Sequence, residues 1–126
     1  MPTYDTDWFT PPAPLARVRL RRPDTGAEVT DVPMVLDTGA DVSLVPRFCV
    51  TQLDMPIDPD HRYELVGFDG HSSTVPVVRL ELHLFGRRFR GQFLVIDQEW
   101  GIVGRNILNQ IVVLFDGPRL TWNLQR

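Results

Sequence analysis

Apolar and polar residues alternate with a period of two in several short segments of this 126-residue chain. The alternation is clear in Leu15–Leu20, and it returns from Thr74 to Phe85, where Val78, Leu80 and Leu82 occupy every second position. A period of two places the apolar side chains on one face of a strand. Eleven prolines and nine glycines separate these segments and mark turns. The pattern predicts an all-β protein of many short strands, closed or sandwich-like in architecture.

The length fits a single domain. Residues 1–13 contain Pro2, Pro11 and Pro12, and we predict an irregular N-terminal arm there, followed by one domain over residues 14–126. The residues from Arg105 to Gln110 favour a helix, so the sequence predicts one short helix near the C-terminus.

Composition excludes several classes of protein. The net charge of −3 provides no sequence-wide basic field, so no nucleic-acid partner is expected. The single cysteine, Cys49, has apolar neighbours, which predicts a buried and unreactive thiol. The longest apolar run, Ile111–Phe115, is far too short to span a bilayer, and the N-terminus lacks the features of a signal peptide. We therefore expect a soluble, cytoplasmic protein with no membrane partner.

The three histidines give no metal signature. His61, His71 and His83 lie ten and twelve residues apart, whereas the ligands of zinc sites are usually more closely spaced. Histidines on the surface or in turns are the simpler interpretation.

The segment Met34–Asp41 carries the strongest chemical signal. An apolar run delivers Asp37 into a loop, where the Thr38 hydroxyl can form hydrogen bonds and Gly39 permits close approach of a backbone or substrate. One carboxylate is not enough for peptide hydrolysis, because one group must take a proton from water while another gives one to the carbonyl oxygen. Two carboxylates in close contact share a single proton and can fill both roles.

A second Asp-Thr-Gly-Ala occurs at Asp24–Ala27, thirteen residues before Asp37. Arg21, Arg22 and Pro23 precede it, so no apolar strand presents its carboxylate. The separation is also too short for two lobes. We therefore interpret Asp24–Ala27 as an ordinary turn.

A second motif, Gly101–Leu108, is a weak signal by itself, but the two motifs in this order and spacing are specific to one family. Together they resemble the retropepsins, the single-domain aspartic peptidases of retroviruses and their cellular and bacterial relatives. The resemblance covers roughly residues 15–124. It rests on Leu36–Asp41 and Ile102–Leu108, with a looser match of Gly67–Gly70 to the flap of the family.

The resemblance implies a closed acid-protease barrel, a two-fold homodimer with its active site on the axis, and a peptide or protein substrate. It implies no metal and no organic cofactor. The catalytic group would be Asp37, Thr38 and Gly39. Substrate would contact six residues of the two loops: Ala40, Asp41, Gly67, Phe68, Asp69 and Gly70. Arg105 would pair with Asp41 and, together with Asn106, support the site.

Two departures from the family keep alternatives open. Asp69 and His71 place charge near the flap tip, and the termini, which interleave in the viral dimers, differ here. The chain could therefore be a dimerisation or peptide-binding module with little turnover. It could also be a processing enzyme that cuts its own flanks. Trp122, in the last predicted strand, is a candidate anchor of the dimer interface.

Overall fold

The computed structural model describes residues 2–57, 60, 62–66 and 69–125. Within them the chain forms ten strands and two short helices. The strands are β1 (Tyr4–Asp5), β2 (Ala13–Arg21), β3 (Glu28–Leu36), β4 (Leu44–Pro46), β5 (Arg62–Val66), β6 (Ser72–Leu84), β7 (Arg87–Ile96), β8 (Gly101–Val103), β9 (Val112–Asp116) and β10 (Thr121–Gln125). The helices are α1 (Arg47–Gln52) and α2 (Arg105–Leu108). None of the helices in these ranges is long and apolar enough to cross a membrane.

Eight strands form one sheet in the order β1-β2-β3-β8-β4-β7-β6-β5, and β2 also pairs with β6. The β3–β8 and β4–β7 pairs are parallel, whereas the other pairs are antiparallel. A separate antiparallel hairpin contains β9 and β10. The mostly β class is confirmed. The predicted short helix near the C-terminus is confirmed as α2, and a second short helix, α1, forms directly after Pro46.

The core lies beneath the strands in which the alternation was clearest. Leu20 of β2 and Leu80 and Leu82 of β6 are fully buried, and Leu20 lies opposite Leu82 in the register of the two strands. Trp122 is also buried, and its indole N–H donates to the carbonyl oxygen of Leu15 at 2.9 Å. Trp122 therefore packs in the core of its own chain, and its prediction as an interface anchor is wrong.

Helix α1 contributes the only cysteine to this core. Cys49 is fully buried, and its burial raises the pKa of the thiol to about 12. The thiolate is the reactive form of cysteine, so the thiol is inert at neutral pH. The prediction of a buried, unreactive Cys49 is confirmed.

The first residues of the predicted arm belong to the small sheet of β9 and β10. The N–H of Tyr4 donates to the carbonyl oxygen of Leu120 at 2.9 Å, and the N–H of Trp122 donates to that of Pro2 at 3.2 Å. Thr3 pairs with Thr121 between them. The arm is therefore not irregular throughout, while the boundary between arm and domain stays a prediction.

A buried carboxylate lies on β6, whose neighbours at this position are β2 and β7. Glu81 is only 2% exposed. Its Oε2 accepts two hydrogen bonds from Arg90, at 2.8 and 3.2 Å, and its Oε1 lies 2.7 Å from Nε2 of His83. A carboxylate removed from water requires such partners. The hydrogen bonds from Arg90 and then His83 lower the pKa of Glu81 from 4.5 to about 2.

This lowered pKa predicts a pH-dependent contribution to stability. The ionised Glu81 stabilises the folded state above the unfolded pKa of 4.5, and this contribution disappears as the pH falls through the folded pKa of about 2. We expect Glu81→Gln to be less stable than wild type at pH 7. The difference in the free energy of unfolding should shrink as the pH is lowered from 4.5 to about 2. Urea unfolding followed by tryptophan fluorescence at several pH values measures it. The exposed Glu64→Gln is the control, and a difference independent of pH would contradict the prediction.

Candidate active site

Asp37 lies directly beyond the end of a buried parallel strand pair. Leu36, the last residue of β3, lies beside Val103 of β8. The N–H of Asp37 donates to the carbonyl oxygen of Val103 at 3.0 Å, and the N–H of Gly39 donates to Oδ1 of Asp37 at 2.8 Å. The half-buried carboxylate is therefore fixed at its backbone and at one oxygen.

The second motif holds the Asp37 loop in place. The N–H of Arg105, at the start of α2, donates to the carbonyl oxygen of Ala40 at 2.8 Å. The guanidinium of Arg105 donates to the carbonyl oxygen of Thr38 at 2.7 Å. The structure thus brings together two motifs that lie about 65 residues apart in the sequence.

The predicted ion pair between Arg105 and Asp41 is wrong. These two described residues form no ion pair within 4.0 Å, and both are exposed. The guanidinium of Arg105 instead binds the Thr38 carbonyl, which gives that exposed oxygen a charged donor. Arg105 therefore contacts backbone carbonyl oxygens of the loop and not the carboxylate of Asp41.

The Thr38 hydroxyl does not tie the loop down as expected. Thr38 is exposed, and its hydroxyl has no hydrogen-bond partner among the residues that the structure describes. The backbone bonds of Asp37, Gly39 and Ala40 do this work instead.

Ser43 supports the site and was missed in the sequence. It is fully buried, its Oγ donates to Oδ1 of Asn106 at 2.7 Å, and it accepts the N–H of Gly104 at 3.0 Å. The sequence contains a signal for it, because a hydroxyl within the apolar run Val42–Val45 requires a buried partner. Asn106, predicted as a supporting residue, is that partner.

Two glycines allow the motifs to approach closely. A Cβ at Gly104 would lie 2.2 Å from the carbonyl oxygen of Val42, and one at Gly101 would lie 2.4 Å from that of Leu44. No side chain fits at either position without a shift of the backbone. The spacing of these glycines therefore reflects the packing of β8 and the start of α2 against residues 42–44.

A cleft of about 460 Å³ opens in front of Asp37. Its lining combines the loop, α2, β4 and β5: Asp37, Gly39, Ala40, Asp41, Val42, Leu44, Leu65, Val66 and Arg105. Its aliphatic wall continues into a small apolar cluster around Leu44, Val77 and Leu94. The predicted residues Ala40 and Asp41 thus share the cleft with the carboxylate, and Leu65 and Val66 of β5 complete the lining.

The predicted flap lies at the turn between β5 and β6, which pair from Arg62 opposite Pro76 to Val66 opposite Ser72. Gly67 and Phe68 lie outside the described residues. Asp69 and Gly70 are exposed and do not line the cleft.

Asp69 is occupied by a local contact at the tip of this turn. Its Oδ1 accepts the N–H of His71 at 3.0 Å, and its Oδ2 lies 3.0 Å from the His71 ring. Its role in substrate binding stays a prediction.

The other Asp-Thr-Gly segment contributes nothing to the cleft. Asp24 lies in an exposed turn, where its carboxylate accepts hydrogen bonds from the Arg22 guanidinium at 2.7 and 3.0 Å. These bonds hold the pKa of Asp24 below its usual range. The turn interpretation is confirmed, and no group of metal-binding side chains is found in the described ranges.

A family model described as retroviral aspartyl protease matches residues 12–115. The chain belongs to the retroviral aspartyl protease family. The structure of EIAV protease complexed with the inhibitor HBY-793 superimposes with a TM-score of 0.58 at 22% identity, covering 78% of this chain and 86% of that one. A comparison with curated proteins gives no match. The match to the family model ends at Phe115, so strand β10 lies beyond it.

The buried hydroxyl provides a test of how the site is held. Ser43→Ala leaves the buried N–H of Gly104 without its acceptor, which costs about 1–3 kcal/mol. We expect the free energy of unfolding to fall by that amount in urea titrations. The matched control is Ser73→Ala on an exposed position of β6, which should change stability little. Equal effects of the two substitutions would contradict this role of Ser43.

Proposed function

We propose that this protein is an aspartic endopeptidase that acts as a homodimer and hydrolyses peptide bonds with a water molecule activated between two Asp37 carboxylates, one from each chain. The observation that carries the proposal is the single carboxylate at the end of a buried strand, fixed by backbone hydrogen bonds and facing a cleft. The closed barrel of the family is supported by β2, which pairs with both β3 and β6.

The chemistry requires two carboxylates that share one proton. The ionised carboxylate takes a proton from water as the water oxygen attacks the carbonyl carbon, and the protonated carboxyl gives its proton to the carbonyl oxygen. Transfer of a proton to the amide nitrogen then releases the amine as the C–N bond breaks. The hydrogen bond from Gly39 orients Oδ1 of Asp37, which lowers the cost of arranging the pair.

The substrate would be an extended peptide with apolar side chains beside the scissile bond. Val42, Leu44, Leu65 and Val66 supply an aliphatic wall to the cleft. An extended peptide can pair with exposed backbone as an added strand while its side chains enter pockets. Ala40 and Asp41 would contact its main chain, and Gly67 and Phe68 would belong to the flap that closes over it.

The exposed Thr38 hydroxyl supports a two-chain site. It lies next to the carboxylate and has no bond to the described part of its own chain. In a two-fold dimer each Thr38 can contact the loop of the second copy. Such contacts would hold the two Asp37 side chains at a fixed separation.

Substitution of Asp37 tests the proposal. Asp37→Asn removes the group that accepts and donates protons, so kcat/KM on a library of apolar peptides should fall by roughly 10³-fold or more. The matched control is Asp24→Asn, which alters the same four-residue motif in an exposed turn and should retain full activity. Cleavage by Asp37→Asn at the wild-type rate would disprove the proposal and leave a peptide-binding module as the explanation.

A mixing experiment tests the shared site. When wild type is re-equilibrated with a large excess of Asp37→Asn, nearly every wild-type chain pairs with an inactive one. We expect activity to be lost, because one carboxylate cannot act as acid and base together. An equal excess of Asp24→Asn should leave activity intact. Activity that survives the excess of Asp37→Asn would show that one chain is sufficient.

A further inference from the structure

Strands β2, β6 and β7 turn a strongly basic face away from the core. Successive side chains of a strand point to opposite faces, and the core takes Leu20 of β2, Leu80 of β6 and Phe93 of β7. The opposite face, called the basic face below, is formed by Arg17, Arg19, Arg21, Arg79, Glu81, His83, Arg88, Arg90 and Gln92. Six of these nine residues are arginines, although the net charge of the whole chain is −3.

The carboxylate of Glu81 is hidden beneath the cations of the basic face. Its side chain is 3% exposed, whereas the side chain of Arg90, which donates to it at 2.8 Å, is 67% exposed. His83 covers the second carboxylate oxygen. Solvent therefore meets the guanidinium group of Arg90 and not its buried partner.

The other carboxylates near the basic face lie at its edge, on β3. Glu28 is 3.7 Å from Arg19, and Asp31 shares a small cavity with Arg17 and Arg19. Three arginines make no side-chain hydrogen bond and no ion pair within the part of the chain that the structure describes: Arg17, Arg79 and Arg88. The basic face thus displays positive charge that the described carboxylates do not neutralise.

The basic face continues the aliphatic wall of the cleft in front of Asp37. Val77 of β6 packs with Leu44 and Leu94 in the apolar cluster that extends this wall. The pairing of β6 with β7 runs from Val77 to Leu84 without a shift in register. Arg79 is therefore the next side chain after Val77 on the same face of β6. An extended chain that leaves the cleft along β6 passes directly onto the arginines.

We propose that the basic face is an exosite, a substrate-binding surface outside the cleft, for an acidic segment of the substrate. The inference rests on the proposed function, because it names a class of substrate for the proposed cleft. At about 3.4 Å per residue, Arg79 and His83 lie about 7 and 20 Å along β6 from Val77. The acidic residues of a preferred substrate would lie about two to six positions beyond the residue that packs against Val77.

The spacing and chemistry of the basic face fit a polypeptide. Every second side chain of an extended peptide points to the same side, about 7 Å from the next, and Arg17, Arg19 and Arg21 follow one another along β2 with the same spacing. A guanidinium group can bind a carboxylate through two parallel hydrogen bonds. Sites for single-stranded nucleic acids usually stack bases on aromatic rings, and none of the nine residues is Phe, Tyr or Trp. Continuity with the cleft also favours a peptide chain.

Binding to an inactive variant tests the exosite without cleavage. Two fluorescent peptides share one apolar stretch and differ in the tail, which is Glu-Ser-Glu-Ser-Glu or Gln-Ser-Gln-Ser-Gln. We expect Asp37→Asn to bind the glutamate peptide on the order of 10-fold more tightly at low ionic strength, because several exposed ion pairs act together. Salt at about 1 M should remove the difference. Fluorescence anisotropy gives the two dissociation constants.

Substitutions on the basic face show whether the preference arises there. In the Asp37→Asn background, Arg79→Gln should reduce the preference for the glutamate peptide, and Arg88→Gln added to it should abolish the preference. Neither change should alter the affinity for the glutamine peptide. The matched control is Arg119→Gln, which removes one exposed charge from the turn between β9 and β10 and should keep the full preference. Circular dichroism checks that each variant is folded.

Turnover by the wild type separates this inference from the proposed function. We expect the glutamate peptide to have a lower KM and an unchanged kcat, because contacts made equally in the ground and transition states lower KM alone. A preference that depends on Arg79 and Arg88, in a wild type that cleaves neither peptide, supports the exosite and rejects the peptidase. Cleavage of both peptides with the same KM, and equal affinities in all variants, overturns the exosite and leaves the peptidase standing.

Other anionic partners are separated by the same variants. Oligothymidylate and vesicles that contain phosphatidylserine are offered to Asp37→Asn in place of the peptides. We expect both to bind more weakly than the glutamate peptide. Tighter binding of either one, lost when Arg79→Gln and Arg88→Gln are combined, would overturn the assignment of the basic face to an acidic peptide segment.

Discussion

The pairing of β3, which ends just before Asp37, with β8, which ends just before Gly104, determines the rest of the site. The β3–β8 pair is parallel, so both strands end at the same edge and deliver the two motifs to one place. The contact of β8 and Gly104 with residues 42–44 is so tight that a Cβ at Gly101 or Gly104 would overlap a carbonyl oxygen. The carboxylate is therefore positioned by backbone packing over a long sequence separation.

Around this contact, backbone groups form most of the hydrogen bonds that hold the Asp37 loop. Asp37, Gly39 and Ala40 are bonded through their N–H groups, and Arg105 binds a carbonyl oxygen. Ser43 adds a fully buried hydroxyl beneath the start of α2. This arrangement leaves the Thr38 hydroxyl without a hydrogen-bond partner in the described part of its own chain.

The sequence predicted the mostly β class and the turn at Asp24 because each follows from a local pattern, whereas the meeting of the two motifs was implied by the resemblance to the retropepsins. The alternation identifies strands such as β6, and Arg22 beside Asp24 marks a solvated turn. The error at Arg105 has a physical reason: residue type indicates that a guanidinium needs acceptors, but not whether a carboxylate or a carbonyl lies nearer. The burial of Trp122 depends on how the hairpin folds back, which period-two patterning does not specify.

The placement of residues 2–4 in the small sheet has a consequence for any polypeptide fused ahead of Pro2. Such a segment would emerge from residues whose backbone groups are hydrogen-bonded to β10 and the turn before it. An endopeptidase engages a chain whose main-chain groups are available for pairing. Scission at that junction, by this protein or by another, would therefore first require residues 2–4 to separate from β10, so that release of such a segment would involve local unfolding as well as sequence recognition.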